Sequence, residues 1–531
     1  MTTITLPPPA GRSLLMWEGK RTLQEVDAPP VRCVEAFAPA GERLSPALIE
    51  RNRLYFGDNK AALAHLLATG ARGQVQLIYI DPPFDSNADY VRKIRLRNAA
   101  ASQVGTEVQY RDRWTGDSYL QFMYERLLLL RELLAEDGVI WLHCDYRQVH
   151  RLHLILEEVF GPENYLNTVS WRSQVARGAK VNAFYFPYST QYLEIFAKNR
   201  RAPTRWHPPK KQLTFTRRQA AAQFMEDEGG FFRTSDPGTY SFERLKALHE
   251  EGRLYAPYGG QVVVDEEARR VYASNGGNIG VKYYLTKLDN GRYGVERGVD
   301  NLWDDIPGLG TTPGEDVGYP TQKTAALLRR IIGASTDPGD WVLDAFSGSG
   351  ATAAVSQEMG RRWIACDANY GAIQTARRRL AAAEEAAGFA VYAVGDETLP
   401  PAMEASSVRV DLQIQPVGAI EDTIGSDGAR MMEVRIVDFC PADLNERLPD
   451  RHRHVVTDWR ALVDGVEIDP AYDGHIFRPT RVDFPQSRRA QVDGVYRLPI
   501  PPAPTAVAVR VTDVWGREYW VTRWQGDRMT R

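Results

Sequence analysis

Val342-Leu343-Asp344-Ala345-Phe346-Ser347-Gly348-Ser349-Gly350 reads as a short apolar strand that ends in a glycine-rich turn and opens a helix at Ala351. Gly348 and Gly350 tolerate positive φ and let a ligand approach the backbone closely. Asp367 follows at the end of the next apolar run, Arg362–Cys366, where a carboxylate can accept both hydroxyls of a ribose. Strand, turn, helix and second acid agree on a pocket for an adenosine-type cofactor. A dinucleotide enzyme normally carries a third glycine to bring the helix close, but here the helix opens Gly350-Ala351-Thr352. Asp344 in the turn would repel a pyrophosphate, yet it suits the cationic methionine portion of S-adenosylmethionine.

Strands and helices alternate on both sides of this turn. Leu54–Gly57 is a brief strand followed by Asp58 and a helical Ala61–Leu67, and Val75–Ile80 is a buried strand. Ser118 is placed as the N-cap of a long amphipathic helix to about Glu136, with Gly138 as its C-cap. Val139–His143 and Arg147–Phe160 continue the rhythm as strand and helix. It resumes with a helix over Thr321–Ile332, the strand Trp341–Ala345, and helices over Ala351–Met359 and Tyr370–Ala386. The fold class expected is α/β: a Rossmann-like domain with an inserted region and a C-terminal β-rich domain. The boundaries read as an N-terminal extension over 1–50, first catalytic part 51–171, insert 172–300, second catalytic part 301–398 and β-rich domain 399–531. Val408–Ile414, Met432–Phe439 and Val507–Val511 make the last of these a small sandwich.

Asp81-Pro82-Pro83-Phe84 closes the strand Val75–Ile80. Proline there ends ladder pairing and fixes the acceptors around it. An exocyclic base amine is a poor nucleophile because its lone pair is delocalised into the ring. Two acceptors around its hydrogens, the Asp81 carboxylate and the Pro82 carbonyl, favour pyramidal nitrogen and its developing positive charge. Phe84 offers a π-face on which an extruded base stacks. A rigid turn without chemistry is the bland alternative, and the cofactor turn in the same chain argues against it.

Together the two motifs resemble the β class of DNA amino-methyltransferases, the group containing type III modification subunits. In that class the tetrapeptide precedes the cofactor turn and the target-recognition region lies between them. The resemblance extends to Leu54-Tyr55-Phe56-Gly57-Asp58-Asn59, Trp303-Asp304-Asp305-Ile306 and Tyr319-Pro320-Thr321-Gln322-Lys323. It implies that Asp344, Phe346 and Gly348 hold the methionine side and Asp367 the ribose. It further implies that Asp58 lies near the adenine and that Thr321, Gln322 and Lys323 close over the cofactor. Tyr319 and Thr324 stand where the class usually has His and Pro. An Asp at the head of the tetrapeptide is commoner in the adenine-N6 branch, which ranks adenine ahead of cytosine N4, with RNA as a more remote substrate. The partners implied are double-stranded DNA, a restriction or helicase subunit, and a second copy of the chain.

Composition sets the outer limits. Charged residues make up 25% of the chain and its net charge is −3, so nucleic acid has to be held by local patches. Lys198–Arg218 carries eight Lys or Arg and no acid, interleaved with Trp206, His207 and Phe215, and this stretch and Arg111, Arg113 and Trp114 are the candidate DNA contacts. His143 and Asp145, at a strand end near the expected cleft, read as structural ahead of functional. The four cysteines form no CxxC pair, which argues against a zinc site or a disulfide framework and suits a reducing cytoplasm. No run approaches the roughly 18 apolar residues of a membrane span.

Overall fold

Ten strands form the central sheet: β1 (Val31–Phe37), β2 (Arg53–Phe56), β3 (Val75–Ile80), β4 (Leu134–Cys144), β5 (Tyr165–Trp171), β6 (Gln191–Ala197), β7 (Leu302–Trp303), β8 (Trp341–Asp344), β9 (Arg362–Asp367) and β10 (Phe389–Val394). The computed structural model describes every residue except 1, 39–44, 46–50, 98–101, 176–183, 203–204, 313, 384–386, 397–407, 414–430, 455, 488, 502–504 and 525–531. The strand order is β7-β5-β6-β4-β3-β8-β9-β2-β10-β1. The six strands from β4 to β10 run parallel, and β6 and β1 are antiparallel to their neighbours. Parallel strands have both faces covered by crossover helices, which is why Val75–Ile80 and Trp341–Asp344 are apolar without alternation.

Helices α1 (Asn59–Ala68), α2 (Ser118–Leu133) and α3 (Val149–Phe160) pack one shared core with β3, β4 and β8. Leu127, Leu130 and Leu156 are fully buried in it, each contributing about 1.5–3 kcal/mol over exposure. After α4 (Ala325–Ser335), the helices α5 (Ala351–Glu358) and α6 (Tyr370–Ala381) meet β2, β9 and β10 in a second core around Trp363, Ile373 and Phe389.

Several expected boundaries move. Helix α2 ends at Leu133, with Leu134 as its C-cap, and Gly138 lies inside strand β4 instead. A Cβ at 138 would stand 2.9 Å from the Val75 carbonyl oxygen, so this glycine serves strand pairing and not a helix end. Asp117, not Ser118, is the N-cap residue of α2. Thr321–Lys323 is not helical: Thr321 has φ 62° and α4 begins at Ala325. The insert expected from residue 172 is shorter, because Gln191–Ala197 pairs with both β4 and β5 inside the main sheet. The extension expected over 1–50 contributes the edge strand β1.

Two compact units result, one of Met1–His207 with Asn301–Arg531 and one of Pro208–Asp300. The second consists of short antiparallel strands, a helix over Arg217–Gln223 held by a Thr216/Gln219 capping box, and a core of Leu248, Leu254, Ala273, Ile279 and Val281. The C-terminal region belongs to the first unit. Its described strands form a three-stranded and a four-stranded sheet over one core, which also takes Ile94, Leu96 and Val104 from the hairpin Ala88–Asp112. Among the described residues no helix is long and apolar enough to cross a membrane.

Candidate active site

The register of the sheet brings the chemistry together. Strand β8 pairs in parallel with β3 through Val342–Leu77 and Leu343–Ile78, and with β9 through Asp344–Ala365. Strand β9 pairs with β2 through Asp367–Phe56. Asp81, Asp344, Asp367 and Asp58 therefore stand at the carboxyl ends of four adjacent strands, where open parallel sheets hold their ligands. They line one cavity of about 240 Å³, together with Pro83, Tyr110, Tyr319, Thr321, Gln322, Lys323, Phe346 and Gly348. Pro82, Phe84 and Gly350 are not part of its wall. Pro82 is buried beneath it, and Phe84 packs on the core with Lys323 Nζ 5.5 Å from its ring centre. Gly350 caps α5 at φ 71°, and a Cβ there would meet Ala376 Cβ at 2.6 Å. Its missing side chain lets α5 and α6 pack closely.

The Asp81–Phe84 loop is held by buried polar partners. Lys323 Nζ donates to Asp81 Oδ2, while Asp81 Oδ1 is buried without a hydrogen-bond partner. Burial raises the Asp81 pKa against the pull of Lys323. His143 Nδ1 lies 3.8 Å from that free oxygen. Burial, reinforced by Lys323, holds this histidine neutral. Its Nε2 lies 2.9 Å from Gln191 Oε1, which assigns the ring proton there and leaves Nδ1 to accept from the Tyr79 hydroxyl at 2.9 Å.

Asp112 went unnoticed in the sequence. Its buried carboxylate accepts from the backbone N–H groups of Phe84, Asp85 and Ser86 at 3.1, 3.0 and 2.8 Å, and from Trp114 Nε1 at 3.0 Å. It thereby orders the chain just after the tetrapeptide, where Asp85 and Asn87 have positive φ. Nothing in the sequence separates it from the other 67 of the 68 Asp and Glu residues. Asp112→Ala is expected to slow turnover by about a hundredfold through a misplaced loop, with S-adenosylmethionine affinity retained; single-turnover rates and calorimetry check this.

The cofactor side is rich in acid. Asp344 Oδ1 accepts from the Phe346 N–H at 3.0 Å and its Oδ2 from the Thr352 hydroxyl at 2.6 Å. Asp367 accepts from the N–H groups of Gly348 and Asn369, both at 2.8 Å. Burial pushes Asp344 up to about 7 and Asp367 up to about 6. Four carboxylates face Lys323 and Arg111 in the cavity wall. That imbalance fits a ligand carrying positive charge and hydroxyls, as S-adenosylmethionine does, and misfits a pyrophosphate. Asp58 caps α1 and also accepts from Arg126 Nη2 at 2.6 Å, so part of its capacity goes to structure. The Gln322 amide is spent on its own loop, accepting from Val317 N–H and donating to the Glu315 carbonyl.

The raised values have a consequence for pH. With unfolded carboxylates near 3.8, Asp344 and Asp367 hold more protons in the folded chain than in the unfolded one up to about pH 7. Their contribution to ligand-free stability therefore falls as pH rises through these values. A cationic ligand requires the ionised acids, so S-adenosylmethionine affinity should rise between about pH 5.5 and 8. Calorimetry across that range, with Asp344→Asn giving a flatter profile, is the check; a wild-type affinity that falls would contradict it.

Several members of the basic stretch are paired with acids within their own unit. Lys198 donates to the Arg131 carbonyl, Arg205 pairs with Asp137 and Asp340, and His207 lies 2.9 Å from Asp337. Lys210 pairs with Glu296 and Arg217 with Glu226 in the second unit. Arg113 is bound to Asp89, whereas Arg111 reaches the cavity wall.

The family model described as DNA methylase, of the N6/N4 type, matches residues 75–378, more than half of the chain. The chain belongs to this DNA methylase family. The match runs from the start of β3 to α6 and so takes in both the tetrapeptide and the cofactor turn. The DNA methylase is 27% identical to the type II methyltransferase M.EcaI of Enterobacter cloacae, over 71% of this chain and 79% of the relative. It is 26% identical to the probable HindVI Mod subunit of Haemophilus influenzae, over 61% of this chain and 49% of that one. A shorter match, 43% identical over 88 residues, is to the DNA adenine methyltransferase YhdJ of Escherichia coli; it spans 17% of this chain and 30% of the relative.

Proposed function

We propose that this DNA methylase moves the methyl group of S-adenosylmethionine to the exocyclic amine of a flipped base in duplex DNA, adenine N6 ahead of cytosine N4. The observation that carries the reading is the unpartnered Asp81 Oδ1 in a cavity shared with Asp344 and Asp367. When bound, S-adenosylmethionine supplies an electrophilic methyl on a cationic sulfur. Asp344 and the turn around Gly348 would hold its methionine end, and Asp367 its ribose. The chain's own work is on the acceptor. An amine hydrogen is received by the Asp81 carboxylate, so the nitrogen lone pair turns out of the ring plane. As the N–C bond forms and the sulfur–carbon bond breaks, positive charge grows on that nitrogen. The proton it sheds has a place on Asp81, whose proton affinity burial has raised. Neutral His143 keeps a second positive charge away from the site.

Adenine is favoured by the Asp at the head of the tetrapeptide and by the similarity, 43% identical over 88 residues, to the DNA adenine methyltransferase YhdJ. Nucleoside mass spectrometry and modified-base sequencing of DNA from a methylation-free host expressing this chain test the reading. N6-methyladenine at one recurring site is the expected product. N4-methylcytosine would reassign the base, and unmodified DNA would refute the function.

A further inference from the structure

Phe184-Tyr185-Phe186-Pro187-Tyr188 exposes four aromatic rings in five residues: Phe184 at 109%, Tyr185 at 64%, Phe186 at 96% and Tyr188 at 47%. Single exposed apolar side chains are ordinary, but a contiguous run marks a surface that meets something. The run is fastened to the candidate active site. Tyr188 stacks on Tyr146 with ring centres 3.5 Å apart and planes at 3°. Tyr146 follows the carboxyl end of β4, and Arg147 covers its ring at 5.2 Å. Three residues beyond Tyr188, Gln191 opens β6 and receives the His143 Nε2–H, and His143 is the group behind Asp81. The rings thus stand at the same end of the sheet as the tetrapeptide.

We infer that Phe184 and Phe186 are positioning residues that enter the duplex beside the target and stack on the bases left behind when it is extruded. The inference rests on the proposed DNA activity and deepens it. The occupant is duplex DNA because the run stands at the end of the sheet where the extruded base would arrive, and flat π-faces are what an opened stack lacks. Extrusion costs unstacking and unpairing, least for a mismatched base. Wedge residues that offset this cost should matter most on a fully paired duplex.

The test compares wild type with F184A/F186A on a duplex carrying the site found by base sequencing, and on the same duplex mispaired opposite the target base. The double variant should lose about tenfold or more in kcat/KM on the paired duplex, the scale of one lost base stack. The mispaired duplex should restore most of it. S-adenosylmethionine affinity should be unchanged, and F184W/F186W should keep activity on the paired duplex. Wild-type kcat/KM for F184A/F186A on the paired duplex would overturn the inference, as would an equal loss on both duplexes. So would a change from dimer to monomer, which would make the run a contact between copies. If wild type itself methylates no duplex, the proposed function falls too, so the two failures are told apart.

Discussion

Asp81→Asn is expected to lower the single-turnover rate of methyl transfer by at least about 10²–10³-fold, the scale set by removing one preorganised polar contact to a developing charge. The variant keeps the shape of the side chain but removes the carboxylate that would receive the amine hydrogen. The charge matters because the amine becomes cationic as it is methylated, and a neutral amide attracts that cation far less than a carboxylate does. Asn is the sharper choice than Ala here. Asp81→Ala also deprives the Lys323 ammonium of its partner, leaving a bare cation in a cavity meant for a cationic ligand. S-adenosylmethionine affinity should survive Asp81→Asn, since Asp344 and Asp367 are untouched. Transfer at the wild-type rate would remove Asp81 from the chemistry.

The second large effect lies away from the cavity. Arg510 is fully buried and donates to both oxygens of Glu467, at 2.7 Å each, and to both oxygens of Glu35, at 2.5 and 3.1 Å. Arg377 from α6 joins the same cluster through Glu35 at 3.0 Å and Glu518 at 2.6 Å. Burial alone would raise the Glu518 pKa, yet Arg377 and Arg510 hold it down to about 2. The cluster ties the edge strand β1, helix α6 and the C-terminal strands into one body. Arg510→Leu leaves Glu35 and Glu467 buried with one cation fewer, an imbalance that typically costs 3–5 kcal/mol, roughly. A thermal midpoint lower by roughly 3–5 °C is expected for a unit of this size, read by calorimetry of the full chain. Replacing Glu35, Glu467 and Arg510 together by apolar residues should cost less than Arg510→Leu alone, because no unpaired charge is then left inside.

Val75–Ile80 matches its strand to the residue, because a short apolar run closed by Asp-Pro-Pro has one way to be a strand. The conformation of the turn at 347–350 was legible because Gly348 and Gly350 take positive φ. Gly138 was misread because a glycine after a helix and a glycine within a tight strand crossing look alike until the neighbouring strand is in place. The ion pairs of Arg205 and Lys210 within the basic run 198–218 were not legible, because Asp137, Asp340 and Glu296 are distant in sequence. Lys323 was assigned to the cofactor lid by family likeness. Its ion pair with Asp81, 242 residues away, is a product of the sheet order alone. Asp112 and His143 act through backbone amides and a tyrosine hydroxyl, partners that no local pattern encodes.

The convergence of the two loops is tested most directly by a crystal structure with S-adenosylmethionine bound. The expected result is a ribose on Asp367, a methionine end between Asp344 and Gly348, and a methyl group directed at Asp81. A ligand seated in another cavity, or one whose methyl group points away from Asp81, would contradict it.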